Sequence, residues 1–330
     1  MREPAFWWRK AGLASSLLAP AAACYGAIAA RRMTRQGARA GAPVLCVGNF
    51  TLGGAGKTPA TMMLAKMLQA AGERPFCLSR GYGGSLAGPK AVDAHADTAA
   101  QVGDEALLLA HVAPTVVARD RAAGAQAARA DGASIIIMDD GLQNASLVKD
   151  CTLAVVDGRR GIGNARVFPA GPLRAPLATQ LAQTDALLVV GGGDGAHDVV
   201  TAAPHLPVFY ARLEPDPAVV ASLHGRNVFA FAGIGDPEKF FAGAAAAGVA
   251  VAEQRAFADH HRFTAEEAAE LIMQAEHGGL ALLTTEKDRA RMAGEPLLAA
   301  LAGKTHVLPV TMVIEELDEL RRVVLAKLRR

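Results

Sequence analysis

The stretch NFTLGGAGKTPA, residues 49–60, arranges glycines, a lysine and a threonine in an order suited to binding phosphate. It follows the short apolar run PVLCVGN and opens TPATMMLAKMLQAAG, whose apolar residues have helical spacing. Glycines let backbone N–H groups turn towards phosphate oxygens, and the start of a helix adds partial positive charge. A lysine here reaches the β- and γ-phosphates, and the following hydroxyl ligates Mg²⁺. The pattern predicts an ATP and Mg²⁺ site formed by Thr51, Leu52, Gly53, Gly54, Ala55, Gly56, Lys57 and Thr58.

Two details bear on that prediction. Thr51 stands where the usual phosphate-binding pattern has its first glycine, so an ordinary glycine-rich turn is the alternative. Guanine-specific proteins of this class usually carry an Asn-Lys-x-Asp motif, whereas TTEKD at 284–288 has its lysine and aspartate adjacent. The sequence therefore favours ATP over GTP.

A pair of aspartates, Asp139 and Asp140, follows the strongly β-forming run SIIIM. The carboxyl ends of parallel strands gather at one edge of a sheet, where ligands bind. We expect one of these carboxylates to hold Mg²⁺, directly or through water, and the sequence does not decide which. A capping Asp-Asp-Gly turn is the alternative.

Transfer of a phosphoryl group also needs a side chain that takes the proton of the attacking hydroxyl. Asp104 is a candidate, although it is equally suited to cap a helix. The histidine pair of FADHHRF is another, although a surface loop would also explain it. Candidates at predicted strand ends and helix starts are Ser79, Arg80, Tyr82, Asp104, Glu105, Asp259, His260 and His261.

The elements that must position these residues alternate between strand and helix. From about residue 43, continuous apolar runs such as SIIIM and CTLAVVDG are each followed by a helical pattern, which predicts a parallel sheet covered on both faces. A second unit begins near residue 223. The runs at 206–213 and 305–313 flank it, and we predict that they pair as a connector beside a cleft. The predicted α/β chain divides into an N-terminal helix (1–40), a larger α/β/α domain of P-loop NTPase type (41–222), a smaller α/β domain (223–304) and a return strand with a C-terminal helix (305–330).

The N-terminal residues suggest contact with a membrane. Basic pairs at 9–10 and 31–32 flank a charge-free run at 11–30, and Trp7 and Trp8 precede it, as in an interfacial aromatic belt. A cleaved signal peptide would take the chain away from ATP. A spanning helix needs about 20 strongly apolar residues, whereas this run is mostly alanine and contains Pro20. We favour a helix on the membrane surface over a spanning or core helix. Its apolar face would consist of Leu13, Leu17, Cys24 and Ile28. The basic flank that would meet anionic headgroups consists of Arg31, Arg32, Arg35 and Arg39.

Composition narrows the remaining classes. The 330 residues are 51% hydrophobic with a net charge of +2, which is too small to indicate nucleic acid as the main partner. The four cysteines form no C-x-x-C pair, so neither a zinc site nor a disulfide framework is indicated, and no protein partner is evident. Two rival functions stay open: a P-loop ATPase acting as a partner-binding switch or metallochaperone, and a soluble small-molecule kinase.

Eight motifs, in order, resemble the tetraacyldisaccharide 4'-kinase family: VGNFTLGGAGKTP, LSRGYGG, GDEA, DDGLQN, PAGPLR, AGIGDPEKFF, ADHH and LLTTEKD. The resemblance implies ATP- and Mg²⁺-dependent phosphorylation of the 4'-hydroxyl of a membrane-embedded tetraacyldisaccharide 1-phosphate, which forms lipid IV-A. It also implies two α/β/α domains joined by a two-stranded hinge. The N-terminal helix is expected to attach the enzyme peripherally to the anionic surface of the inner membrane, on its cytoplasmic face.

The same resemblance assigns roles to individual residues. It makes Asp104 the catalytic base or its key partner, and His260 the second member of that pair. Two positions depart from the family pattern, since Asn144 replaces a usual histidine and Ala175 replaces a frequent glutamate. Asparagine does not titrate near neutral pH, so a proton or metal role at residue 144 is doubtful. Residues within the motifs that we expect to bind substrate are Asn49, Arg80, Tyr82, Gln143 and Arg174.

Overall fold

The structure is a computed structural model that describes residues 3–329. The strands are β1 (Val44–Asn49), β2 (Pro75–Ser79), β3 (Lys90–Ala91), β4 (Thr115–Val117), β5 (Ile135–Asp139), β6 (Cys151–Asp157), β7 (Ala186–Val190), β8 (Val208–Pro215), β9 (Asn227–Ala232), β10 (Ala250–Ala256), β11 (Ala281–Thr284), β12 (Thr305–Val307) and β13 (Val310–Ile314). The helices are α1 (Leu13–Leu17), α2 (Ala19–Met33), α3 (Lys57–Ala70), α4 (Ala99–Val102), α5 (Asp104–Ala110), α6 (Arg121–Ala130), α7 (Leu177–Leu181), α8 (His197–Ala202), α9 (Pro217–Ser222), α10 (Pro237–Ala246), α11 (Ala265–Gly278), α12 (Glu286–Met292), α13 (Ala299–Lys304) and α14 (Leu317–Leu328). Short 3-10 turns cover Ala5–Trp8 and Pro296–Leu298.

A large sheet forms the centre of the N-terminal two thirds of the chain. Its strand order is β13-β8-β7-β6-β1-β5-β2-β4-β3, with β1 in the middle between β5 and β6. All neighbouring pairs are parallel except β13 with β8 and β3 with β4 at the two edges. The carboxyl ends of β1, β2, β5 and β6 therefore meet at one edge of the sheet, the position expected for a ligand site.

Burial on both faces explains why these strands read as continuous apolar runs. In β5, Ile135 and Ile137 join the core cluster on one face, and Ile136 and Met138 join the cluster on the other. Successive side chains of a strand point to opposite faces, so both sets must be apolar when helices cover both sides. The structure is thus an α/β fold with mainly parallel sheets.

A smaller sheet, of order β10-β9-β11-β12, is entirely parallel. The same alternation appears in β9, where Phe229 and Phe231 enter one cluster while Val228 and Ala230 enter another. The segment TTEKD at 284–288 spans the end of β11 and the start of α12. The strand ends at Thr284, the Thr285 hydroxyl caps α12 by accepting from the Asp288 N–H, and the motif's charged residues lie on that helix.

Strands β8 and β13 connect the two sheets. They pair antiparallel from Val310 opposite Pro215 to Ile314 opposite Ala211. The run at 305–313 does not form one strand, however. Thr305–Val307 is β12 of the small sheet, and only the segment from Val310 returns to the large sheet. Pro309 separates the two segments and has no N–H to donate to a ladder.

The N-terminal run forms two helices rather than one. Helix α1 ends at Leu17 and α2 starts at Ala19, with Pro20 in its first turn. Helix α2 packs Gly26 against Val167 and Pro176, where an added Cβ would lie 3.6 and 3.5 Å from their side chains. Its other side is solvent-exposed, as is most of α1. We call the exposed large apolar residues here the apolar N-terminal surface: Leu13, Leu17, Tyr25 and Ile28.

The aromatic-belt interpretation is wrong for Trp7. Its side chain is only 5% exposed, its indole Nε1 donates to the Pro169 carbonyl over 3.1 Å, and its ring meets Phe168 edge-on at 6.0 Å. An indole that finds both an apolar contact and a hydrogen-bond acceptor inside the protein gains nothing from the lipid interface. Within residues 3–329, no helix is both long and apolar enough to cross a bilayer.

Candidate active site

The glycine-rich loop (residues 51–58) joins the end of β1 to the start of α3. Gly53 and Gly56 have φ values of +97° and +91°, a region that favours glycine, and Gly56 directly precedes the helix. Asn49 holds the loop from inside, since its Nδ2 donates to the carbonyls of Thr51 and Gly53 over 2.8 and 3.3 Å. The loop is therefore pre-shaped, with the N-terminus of α3 behind it.

Lys57 extends back along this loop. Its Nζ donates to Asn49 Oδ1 over 3.2 Å and lies 3.6 Å from Asp140 Oδ1. Burial lowers the pKa of the Lys57 ammonium below its usual value, and the nearby charge of Asp140 opposes that shift. A largely buried ammonium with one partially exposed carboxylate beside it is suited to receive a further anion.

Asp140 and Arg174 form the second brace of the loop. Arg174 donates to both carboxylate oxygens of Asp140 over 2.8 and 3.0 Å and to the Thr51 carbonyl over 2.8 Å. Burial opposes the ionisation of Asp140, but the charges of Lys57 and Arg174 hold its pKa well below the usual range. Asp140 also has φ +50°, a conformation that costs about 1–3 kcal/mol in a non-glycine residue. Asp140 is thus a fixed negative charge at the end of β5.

Its neighbour Asp139 has a different environment. It is buried, accepts from the Thr61 hydroxyl over 3.1 Å, and its backbone carbonyl accepts from Arg121 over 2.9 Å. Burial, together with the charges of Glu105 and Asp140, raises the pKa of the Asp139 carboxyl to about 7. Negative charge is crowded here without enough positive charge to balance it, a donor environment that suits an added cation.

Glu105, on α5, links the glycine-rich loop to the small sheet. Its Oε1 accepts from the Thr58 hydroxyl over 3.3 Å and from Lys287 Nζ over 2.6 Å. Burial would raise the pKa of Glu105, but the charges of Lys287 and Lys57 lower it below its usual value. Among residues 3–329, no three His, Cys, Asp or Glu side chains are close enough to hold a metal ion by themselves.

Asp104 and His260 come together from opposite sides of the interface between the two sheets. His260 Nδ1 lies 3.3 Å from Asp104 Oδ2. Asp104 is 3% exposed and also accepts from Arg291 Nε over 2.6 Å. Burial would raise the pKa of Asp104, but His260, Arg291 and Lys287 hold it well below the usual range. Asp104 is not a conventional N-cap, since that position belongs to Gly103.

The pKa of His260 shifts in the opposite direction from that of Asp104. Burial alone would lower its pKa, but the interaction with Asp104 and the charge of Asp259 raise it above the usual value. His260 has φ +56°, so the backbone there is also strained. Tyr82, 63% exposed, places its ring centroid 4.7 Å from that of His260.

The other residues expected to bind substrate lie in two places. Gln143 is turned inward, donating to the Asn49 carbonyl over 2.8 Å and to Gln180 Oε1 over 2.7 Å. Together with Asn49 and Arg174 it braces the glycine-rich loop. Arg80 is exposed at the end of β2, next to the loop that carries Tyr82. Substrate binding by these residues stays a prediction.

Two cavities flank this cluster. The first, about 340 Å³, lies between the glycine-rich loop and the small sheet, and its apolar lining includes Leu213, Ile234, Phe240 and Leu308. The second, about 430 Å³, has a more polar lining that includes Tyr82, Asp104, His260, Arg262 and Arg291. Thr58 and Lys287 line the first cavity and Asp104 lines the second. Glu105 contacts Thr58 and Lys287 and follows Asp104 in the chain, so it lies between the two cavities.

On the small-sheet side of this cluster, the sequence pointed to His260 but gave no role to Lys287 and Arg291 of α12. Glu105 was one of several candidates at predicted strand ends and helix starts. Asp288 holds Arg291 over 2.8 Å and accepts from the Gly233 N–H over 3.1 Å. The motif TTEKD could have indicated such a role, because its three charged residues are not expected inside a buried strand.

Comparison with known proteins identifies the family. The family model for tetraacyldisaccharide-1-P 4'-kinase matches residues 14–329. The chain belongs to the tetraacyldisaccharide 4'-kinase family. The match confirms the resemblance that the eight motifs indicated.

Individual relatives of this kinase family are similar over their whole length. A tetraacyldisaccharide 4'-kinase of Rhodopseudomonas palustris is 56% identical, covering 99% of this chain and 97% of the relative. One from Nitrobacter winogradskyi is 54% identical, covering 100% and 99%. The crystal structure of LpxK from Aquifex aeolicus in complex with ATP superposes with a TM-score of 0.73 at 26% identity, covering 96% of this chain and all of that one.

The two departures from the family pattern lie on the large-sheet side of the active site. Asn144 Oδ1 accepts from the N–H and the hydroxyl of Ser146, over 2.8 and 2.6 Å, so it forms a local turn. Ala175 is fully buried, and its carbonyl accepts from Gln180 Nε2 over 2.8 Å. These contacts are local, and none of them involves Asp104 or His260.

Proposed function

We propose that this family member transfers the γ-phosphate of ATP to the 4'-hydroxyl of a tetraacyldisaccharide 1-phosphate, forming lipid IV-A in lipid A biosynthesis. The observation that carries the proposal is the convergence of the glycine-rich loop and the Asp104–His260 pair on either side of Glu105. One side offers groups for a phosphate donor, and the other offers groups for a hydroxyl acceptor. Phosphoryl transfer needs mainly such positioning and charge neutralisation.

The first cavity is the proposed ATP site. Its apolar residues would contain the adenosine, and the glycine-rich loop at its end would hold the phosphates through backbone N–H groups and Lys57. The similar LpxK structure from Aquifex aeolicus is a complex with ATP, which supports this assignment. A cavity of this kind between two domains is a common setting for a ligand.

Oxygen donors beside Lys57 are suited to Mg²⁺. Thr58, Glu105 and Asp139 would hold the ion, whereas Asp140 is engaged by Arg174. Magnesium in proteins commonly uses one or two carboxylates plus phosphate oxygens and waters, so a complete protein cage is not required. When bound, Mg²⁺ would offset negative charge on the transferring phosphate.

On the acceptor side, we assign the proton of the sugar hydroxyl to the Asp104–His260 pair. Asp104 already accepts from the Glu105 N–H over 2.9 Å, from Arg291 and from His260, so its lone pairs are engaged. Neutral His260 would therefore take the proton at its second nitrogen, while Asp104 fixes the ring and stabilises the imidazolium that forms.

Because His260 comes from the small sheet and Asp104 from the large one, the site is complete only when the two units are close. The β8–β13 pair is the proposed hinge. Ion pairs that cross the interface, such as Lys287–Glu105, would hold the closed form. Closure of this kind excludes water from phosphoryl transfer.

The N-terminal helices would attach the enzyme peripherally to the cytoplasmic face of the inner membrane, where ATP and a bilayer-held lipid meet. The apolar N-terminal surface would enter the headgroup region. Basic residues beside it would meet anionic lipids: Arg9, Lys10, Arg31, Arg32, Arg35 and Arg39.

Incubation with γ-labelled ATP, Mg²⁺ and tetraacyldisaccharide 1-phosphate in detergent tests the function. We expect a labelled lipid whose new phosphate lies on the 4' oxygen. ATP hydrolysis without a lipid product would contradict the kinase proposal and favour a partner-binding ATPase.

A further inference from the structure

The N-terminal segment that precedes α1 reaches the glycine-rich loop. A Cβ placed on Gly53 would lie 2.1 Å from Oε1 of Glu3, so this carboxylate oxygen is directly against the loop backbone. Residues 5–8 form a 3-10 turn that the Trp7 indole anchors to the Pro169 carbonyl, and this anchor keeps Glu3 beside the loop. Burial raises the pKa of the Glu3 carboxyl, and the charge of Arg160 opposes that shift.

Arg160 holds the other oxygen of this carboxylate. Its Nη1 donates to Glu3 Oε2 over 3.2 Å, and Trp8 Nε1 donates to the same oxygen over 3.0 Å. The Arg160 guanidinium lies 5.0 Å from the Trp8 ring centroid, and its Nη2 pairs with Asp236 over 2.9 Å. Arg160 thus binds one carboxylate from the N-terminal segment and one from the small domain.

Two features around the Glu3 carboxylate also occur in phosphate-binding sites, a glycine-rich loop before a helix and an arginine. One oxygen faces a glycine of positive φ in a loop that leads into a helix, and the other faces an arginine. We propose that Glu3 occupies a phosphate subsite formed by Gly53 and Arg160, and that a phosphate of ATP displaces it. Since the proposal rests on the proposed nucleotide site, it also makes Arg160 a nucleotide-binding residue that connects the phosphate to Asp236.

A tethered competitor lowers apparent affinity without changing the site. The apparent Kd equals the intrinsic Kd divided by the fraction of molecules with a free subsite, so occupancy of about nine tenths weakens ATP binding about tenfold. Removing the charge of Glu3 must therefore tighten ATP binding, whereas removing a merely structural residue would leave it unchanged or weaker.

The first test is equilibrium binding of ATP to full-length Glu3→Gln in detergent. Glutamine keeps the size of the side chain and the acceptor for Trp8. We expect the Kd for ATP to fall about threefold to tenfold, within the limit set by subsite occupancy. Glu276→Gln is the matched control, since Glu276 is exposed and pairs with Lys304 on the small domain. An unchanged or weaker affinity in Glu3→Gln overturns the proposal.

The second test isolates Arg160. In the Glu3→Gln background the internal competitor is gone, so Arg160→Gln should weaken ATP binding about tenfold or more and Arg160→Lys should restore part of it, as expected for loss of a charge-assisted phosphate contact. Equal Kd values for Glu3→Gln with and without Arg160→Gln would show that Arg160 does not contact the nucleotide.

Tryptophan fluorescence gives an independent readout, because the chain contains only Trp7 and Trp8. ATP should change the emission of wild type by releasing Glu3 from Trp8, and Trp8→Phe should abolish the change. Loss of the signal in Trp7→Phe instead, with Trp8→Phe responding normally, would overturn the displacement. Phosphorylation of the lipid by wild type is measured alongside, so failure here is distinguishable from failure of the kinase function.

Discussion

His260 Nδ1 lies 3.3 Å from Asp104 Oδ2, and this contact joins two units whose residues are far apart in the chain. Each partner changes the other's protonation. The pKa of Asp104 is held well below the usual range, and that of His260 is raised. The pair is therefore an ionised carboxylate beside an imidazole that keeps its proton to higher pH than a free histidine does.

The first prediction is a pH dependence that follows from this pair. If neutral His260 takes the hydroxyl proton, kcat falls as pH drops through its pKa, and the acid limb should lie above the ordinary histidine value of about 6.5. Asp104→Asn removes the charge that raises this pKa while burial, which lowers it, remains. The limb should move to lower pH, and kcat should fall about 10²- to 10⁴-fold.

Rate profiles of wild type and Asp104→Asn at saturating ATP and lipid measure both effects. Asp259→Asn serves as a comparison, because Asp259 also raises the pKa of His260 but contributes less than Asp104 does. An acid limb that Asp104→Asn leaves in place would mean that another group titrates.

The second prediction concerns the glycine-rich loop. Lys57→Ala removes the ammonium that faces Asn49 and Asp140, and it should reduce turnover by about a thousandfold, the scale of losing a preorganised charge-stabilising group. Lys66→Ala, an exposed position on the same helix, should match wild type. Steady-state transfer assays compare the two variants, and normal activity of Lys57→Ala would contradict the nucleotide assignment.

The third prediction concerns Lys287, whose Nζ lies 2.6 Å from Glu105. Lys287→Met leaves Glu105 without its main positive partner, close to the proposed position of the ATP phosphates. We expect kcat to fall about a hundredfold, as when one oriented donor is lost at a developing charge. Lys304→Met, which removes an exposed ion pair with Glu276, is the control. Equal kcat values for the two variants would show that Lys287 has no specific role in phosphate transfer.

The fourth prediction concerns the membrane. The triple substitution Leu13→Ser, Leu17→Ser and Ile28→Ser changes side chains that are 86%, 81% and 55% exposed, so folding should be unaffected. Binding to anionic vesicles should fall by about a hundredfold or more, since each buried aliphatic side chain contributes about 1.5–3 kcal/mol. Leu297→Ser, at a 77% exposed position in the 3-10 turn Pro296–Leu298, is the control in the same vesicle sedimentation assay. Unchanged sedimentation of the triple variant would assign attachment to another surface.

Much of this fold follows from local sequence pattern. Buried parallel strands such as β5 are continuous apolar runs, and the glycine-rich loop lies at the strand–helix junction that the pattern requires. The partners of Asp104 and Glu105 could not be found in this way. Arg291 and Lys287 are 187 and 182 residues away in the chain, and local sequence patterns do not indicate contacts between residues so far apart.

The N-terminal residues illustrate the same limit. Their charge pattern predicts surface attachment, but it does not show that Trp7 turns inward to Phe168 or that Glu3 reaches Gly53. Both contacts depend on the loop at 158–175, whose position is set by tertiary packing. Similarly, the motif of Arg174 predicts a substrate ligand but does not show that this side chain donates to Asp140 and to the Thr51 carbonyl. Substrate binding by Arg174 stays a prediction.

A role of the Asp104–His260 pair in phosphate transfer is tested by a single-turnover measurement with γ-labelled ATP, Mg²⁺ and tetraacyldisaccharide 1-phosphate in detergent, comparing wild type with Asp104→Ala. ATP binding by both proteins is measured in the same samples. We expect a 4'-phosphorylated lipid from wild type and almost none from Asp104→Ala, with ATP bound by both. Equal lipid labelling by the two proteins would contradict the role of the Asp104–His260 pair in phosphate transfer.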